Sequence, residues 1–115
     1  KIKNIILNEK DSIKDSIILK TSTIDKYVNE NNINIIDLLK IDTEGHELEV
    51  LMGSQKTIKK NKVKYILIEL HSSKMYENYS KIKIEQFLKN NNFILMKSFK
   101  FPFQTFVDNL YEYKG

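Results

Sequence analysis

Asp42, Glu44 and His46 fall at alternate positions in the stretch IDLLKIDTEGHELEVL, residues 36–51. A second acid and histidine, Glu69 and His71, share the same spacing in KYILIELH, residues 64–71. Carboxylates in such a place can orient an amine or hydroxyl, accept a proton, or hold a metal ion. Histidine titrates near neutrality and can move a proton. Each of these residues also has a plain structural use. Acids in the first turn of a helix offset its dipole, Gly45 eases a tight turn, and histidines often only pack. Tyr76, Tyr79, Tyr111 and Tyr113 read as half-buried packing residues rather than a stacking platform.

Both acids stand where a strand should end. NIIDLLKI, residues 34–41, is apolar on both faces, as in a parallel strand covered on both sides. KVKYILIEL, residues 62–70, reads the same way. Leu48, Leu51, Met52 and Ile58 recur at helical spacing, which predicts one amphipathic helix over about 45–60. SIILKTS (16–22) is strand-like, and KIKNIIL (1–7) could be another strand. Ser22 with Asp25 makes a loose capping box for a short helix that turns Ile24, Tyr27 and Val28 inward. SKIKIEQFLKNNN, residues 80–92, predicts a helix with Ile84, Phe87 and Leu88 inward. FILMKSF and TFVDNLYEY then form a hairpin across KFPFQ. From residue 16 the order is strand–helix–strand–helix–strand–helix–strand–strand. That alternation predicts an α/β fold with right-handed crossovers and a mixed sheet. Open α/β sheets bind ligands outside the carboxyl ends of their strands, which is where Asp42 and Glu69 fall.

Composition narrows the function. The 115 residues suit one domain, and 41% hydrophobic with 30% charged residues suits a packed core in water. There is no cysteine, so no disulfide and no thiolate zinc site. No apolar run approaches the roughly 20 residues of a membrane helix. The expectation is a cytoplasmic protein that engages no membrane. The net charge of +4 comes from lysine alone, with no arginine. Arginine is the usual reader of guanine edges, so no nucleic-acid partner is expected. Lys56, Lys59, Lys60, Lys62 and Lys64 read as a solvated face.

TSTIDKYV, IDLLKIDTEGHELEVLMGSQ, KYILIELH, FLKNNNFILM and NLYEYK, taken in order, resemble the FkbM family of S-adenosylmethionine-dependent methyltransferases. The specific string is K-I-D-x-E-G-x-E-x-x-V-L-x-G, and the likeness covers roughly residues 17–114. It implies a Rossmann-like class I methyltransferase fold, a three-layer sandwich, of which this chain carries the C-terminal half. It implies S-adenosyl-L-methionine as cofactor and O-methylation of a small-molecule or carbohydrate acceptor. By the likeness, Asp42 and Thr43 fall near the cofactor and Glu69 and His71 near the acceptor. Asp42, Glu44, His46 and Glu69 are the candidate catalytic residues, and no metal is assigned. Such enzymes carry a glycine-rich loop after their first strand, whereas no glycine precedes Ser16. Residues 1–115 therefore read as one partial domain, with the cofactor's cradle outside it and activity in isolation left open. The family's strand order then makes 36–41 an edge. That edge is expected to pair with the N-terminal strand, to pair with a second copy in self-association, or to stay open.

Two other readings compete. IDTEG also looks like the D-x-E signature of a metal-dependent 3'-5' exonuclease. That signature should run into another strand, and Asp108, the last aspartate, sits in neither of the contexts the nucleases use. The other reading is a non-catalytic interaction module that keeps half of an enzyme fold.

Overall fold

The computed structural model describes residues 2–5, 16–72 and 74–115. Strands β1 (Ile2–Ile5) and β2 (Ile17–Lys20) pair antiparallel as a two-stranded sheet of their own. Helix α1 (Ile24–Glu30) leads to β3 (Ile36–Ile41), then to α2 (Glu47–Met52) and α3 (Gln55–Lys59). Strand β4 (Val63–His71), helix α4 (Lys81–Asn90) and strands β5 (Phe93–Lys100) and β6 (Phe106–Tyr113) complete the chain. The main sheet has the order β3-β4-β6-β5, with β3 and β4 parallel and β6 antiparallel to both neighbours. The α/β class, the mixed sheet and the closing hairpin all agree with the sequence.

Side chains alternate across the sheet. Leu39, Ile41, Ile66, Ile68 and Leu70 pack with Leu51, Ile58, Ile84 and Leu88 from the helices in one buried cluster. Each such aliphatic side chain contributes about 1.5–3 kcal/mol when fully buried. The opposite face is buried at the end of β4, at Glu69 and His71, and open further back. Leu38, Tyr65 and Ile94 lie on it in register and are 53%, 37% and 54% exposed. The expectation that β3 is covered on both sides is therefore corrected. Among the described residues β3 has one neighbour, β4, and its other edge is open; β1 does not pair there.

The single helix expected over 45–60 is two helices. The break at Gly53 and Ser54 has a cause in α1. The Asp25 amide donates to the Gly53 carbonyl at 2.9 Å. The Asp25 carboxylate then accepts from the Lys56 amide (3.1 Å), the Thr57 amide (2.8 Å) and the Thr57 hydroxyl (2.7 Å). Asp25 thus caps α3 from another helix, since Ser54 at its start makes no side-chain cap. The cap of α1 is Thr23, not Ser22: its hydroxyl accepts from the Lys26 amide at 3.1 Å. Two inward assignments also fail, because Tyr27 and Met52 are 57% and 60% exposed.

Candidate active site

Strand β3 ends at buried Ile41, which lies opposite Ile68 of β4. One step further along the parallel register brings Asp42 beside Glu69. The chain then turns sharply. Glu44 and Gly45 both take positive φ, 53° and 103°, the left-handed region that costs a residue with a Cβ. The ring of Tyr76 explains the glycine. A Cβ on Gly45 would lie 2.8 Å from Tyr76 Cγ. The same tyrosine donates its hydroxyl to Glu44 Oε2 at 2.5 Å, which fixes the strained glutamate from above.

Glu47 holds the turn from below. It opens α2, is fully buried, and its Oε1 accepts from the Thr43 amide (3.0 Å), the Thr43 hydroxyl (3.2 Å) and the Gly45 amide (3.3 Å). Both donors of Thr43 are therefore committed inside the loop. What Thr43 can offer a ligand is the remaining acceptor capacity of its oxygen.

The turn delivers Asp42 and Glu44 onto Glu69. One carboxylate oxygen from each of the three lies within 4.8 Å of the others. Asp42 and Glu44 are exposed, while Glu69 is 7% exposed. The Glu69 carboxyl is pushed up to about 7, first by burial, then by its hydrogen bond with Asp42, and then by the charges of Asp42, Asp108 and Glu44. Asp108 enters because β6 places it directly opposite Glu69. The Tyr76 hydroxyl is pushed up to about 12, first by its bond to Glu44, then by desolvation and the nearby acids.

His71 lies at the end of β4, 3% exposed, among the rings of Tyr76, Tyr79 and Phe106. Its amide donates to the Tyr79 hydroxyl at 2.9 Å. Neither ring nitrogen has a hydrogen-bond partner among the described residues, and Nε2 is 3.7 Å from Glu69 Oε2. His71 thus meets the acids through Glu69. His46 is exposed at the start of α2, makes no side-chain cap, and is outside the acid cluster.

Of the sequence candidates, Asp42, Glu44 and Glu69 come together, His71 backs them, and His46 stays apart. Asp108, Glu47 and Tyr76 were missed. Only strand pairing brings Asp108 in. Glu47 is the third acid of the string D-T-E-G-H-E, residues 42–47, but nothing in the sequence alone marks it as buried or as the acceptor that closes the loop. A cavity of about 580 Å³ lies elsewhere, between α1 and α3, with Lys26, Lys56, Lys60 and Lys62 on its walls. It holds no cluster of acids or histidines. The residue that follows Glu44 and Gly45 into regular structure starts helix α2, not a strand, which counts against the exonuclease pattern.

A family model described as the methyltransferase FkbM domain matches residues 4–95. A curated protein, the hexuronic acid methyltransferase AglP of Haloferax volcanii, is 33% identical over 61 residues. Those residues are 53% of this chain and 25% of the relative, so the match spans about a quarter of the relative's length. No solved structure matches the chain.

Proposed function

Because the chain belongs to the FkbM methyltransferase family, we propose that it forms the acceptor side of an enzyme that methylates a hydroxyl oxygen of a sugar or natural product. The observation that carries this reading is the convergence of Asp42, Glu44 and Glu69 at the carboxyl edge of the sheet. S-adenosylmethionine, when bound, supplies an electrophilic methyl group on a positively charged sulfonium. Three acids around one crevice suit a cationic ligand, and Asp42 with the Thr43 oxygen is the pair nearest the strand end. Asp42 and Glu44, both exposed, can take hydrogen bonds from an acceptor's hydroxyls and orient them. Glu69, whose carboxyl is pushed up to about 7 by burial and the neighbouring acids, is the candidate to receive the hydroxyl proton. Holding one acceptor oxygen in line with the methyl carbon and the sulfur that would leave is itself a large part of such catalysis.

The rest of the family's Rossmann-like, three-layer fold is part of the same proposal. Helices cover one face of the sheet, and the apolar side chains Leu38, Tyr65 and Ile94 on the other are suited to a second helical layer. The hexuronic acid in the relative's name supports a sugar acid as acceptor. The test is to incubate the full-length protein with methyl-labelled S-adenosylmethionine and glycans that bear hexuronic acid. Label on a sugar hydroxyl oxygen is expected. Label that appears on protein or water but never on sugar overturns the acceptor class.

A further inference from the structure

Three carboxylates within one small crevice repel one another, and the sequence alone assigned them no metal. We propose that Asp42, Glu44 and Glu69, steadied by His71, form a binding site for one hard divalent cation such as Mg²⁺ or Mn²⁺.

Size comes first. Three oxygens that share one hard ion at bond lengths of about 2.1–2.4 Å lie about 3–4.2 Å from one another. The three oxygens already lie within 4.8 Å of one another. Rotation of the exposed Asp42 and Glu44 side chains can close these oxygens onto one ion of this class. Ligand type comes next. The donors are carboxylate oxygens with no thiolate, which favours Mg²⁺, Mn²⁺ or Ca²⁺ over softer metals.

His71 supplies an independent observation. Its imidazole is 97% buried, yet both ring nitrogens lack a partner among the described residues. A buried polar group left unpaired is costly and calls for an explanation. Nε2 points at Glu69 from 3.7 Å, just beyond a hydrogen bond. A modest movement of Glu69 lets His71 donate to it, the arrangement by which an outer partner orients a metal-binding carboxylate. Tyr76 orients Glu44 in the same way through its hydroxyl. Asp42 and Glu44 are exposed, so positions on the open side of the ion remain for water or an acceptor oxygen.

The inference goes beyond the proposed reaction, and ion binding itself does not depend on it. The test is titration of the full-length protein with Mn²⁺, followed by loss of the free-ion paramagnetic resonance signal. One saturable ion per chain is expected, displaced by excess Mg²⁺, with a melting temperature that rises with Mn²⁺. Affinity should fall at least tenfold in Asp42→Asn and Glu69→Gln, and about tenfold in His71→Gln. If a variant fails to give the wild-type near-ultraviolet tyrosine spectrum, the exposed Glu44→Gln decides on the same tenfold criterion. No saturable binding, or equal affinity in these variants, overturns the site. A protein that binds Mn²⁺ but never S-adenosylmethionine keeps the site and refutes the reaction; the reverse result refutes the site alone.

Discussion

Glu47 and Thr43 are joined twice: one carboxylate oxygen takes both the amide (3.0 Å) and the hydroxyl (3.2 Å) of the threonine. This link ties the first turn of α2 to the loop that carries Asp42 and Glu44. Glu47→Ala removes a fully buried acceptor that serves three partly buried donors. We expect it to cost about 2–4 kcal/mol in urea denaturation. A cost near zero would mean that the loop finds other partners and Glu47 does not organise it.

Gly45 is fixed by both conformation and contact. At φ 103° any side chain is strained, and its Cβ would meet the Tyr76 ring at 2.8 Å. Gly45→Ala should destabilise by about 1–3 kcal/mol. It should also lower turnover more than Tyr76→Phe, which removes only the hydroxyl bond to Glu44. Equal effects of the two substitutions on turnover would show that the backbone turn is not the controlling feature.

Asp25 gives a dependence on pH. Burial pushes its carboxyl up, but the bonds from the Thr57 hydroxyl, the Thr57 amide and the Lys56 amide outweigh it and hold it below its usual value of 3.8. A carboxyl depressed in the folded state stabilises above its unfolded value and loses that contribution as pH falls through the folded value. Asp25→Ala should therefore cost about 0.5–2 kcal/mol, typical of a helix cap, from pH 5 to 8. The gap between wild type and variant should begin to narrow near pH 4, the unfolded carboxyl value, and close as the pH falls through the lower folded value. A gap that persists unchanged at pH 3 in denaturant melts would assign the effect to packing instead.

Asp42 separates catalysis from folding. It is exposed and sits among like charges. Asp42→Asn removes repulsion, so the melting temperature should hold or rise. Turnover of the full-length enzyme should fall at least a hundredfold, about 2.7 kcal/mol of transition-state stabilisation. Unchanged turnover with a lowered melting temperature would reduce Asp42 to a residue that starts a helix.

The strands were legible because β3 and β4 carry apolar runs of the right length and β5 and β6 are joined by a short connection, while the edge place of β3 followed from the family likeness. The meeting of Asp42 with Glu69 was legible because both end parallel strands. What sequence could not give were effects of tertiary pairing. The helix over 45–60 breaks because Asp25, some thirty residues away, draws the Gly53 carbonyl and the Thr57 amide to itself. The run 34–41 is apolar on both faces and so read as covered on both, yet Leu38 is 53% exposed. Asp108 reached the site only through β4–β6 pairing, and the burial of Glu47 depends on a loop that its own side chain organises.

The acid-lined edge is proposed to serve a methyl donor and its acceptor. The most direct measurement is calorimetric titration of the full-length protein with S-adenosylmethionine, with Asp42→Asn in parallel. Saturable binding of one molecule per chain is expected in the wild type, and weaker binding in the variant with its fold intact. A folded wild-type protein that takes up no S-adenosylmethionine at millimolar concentration would contradict it.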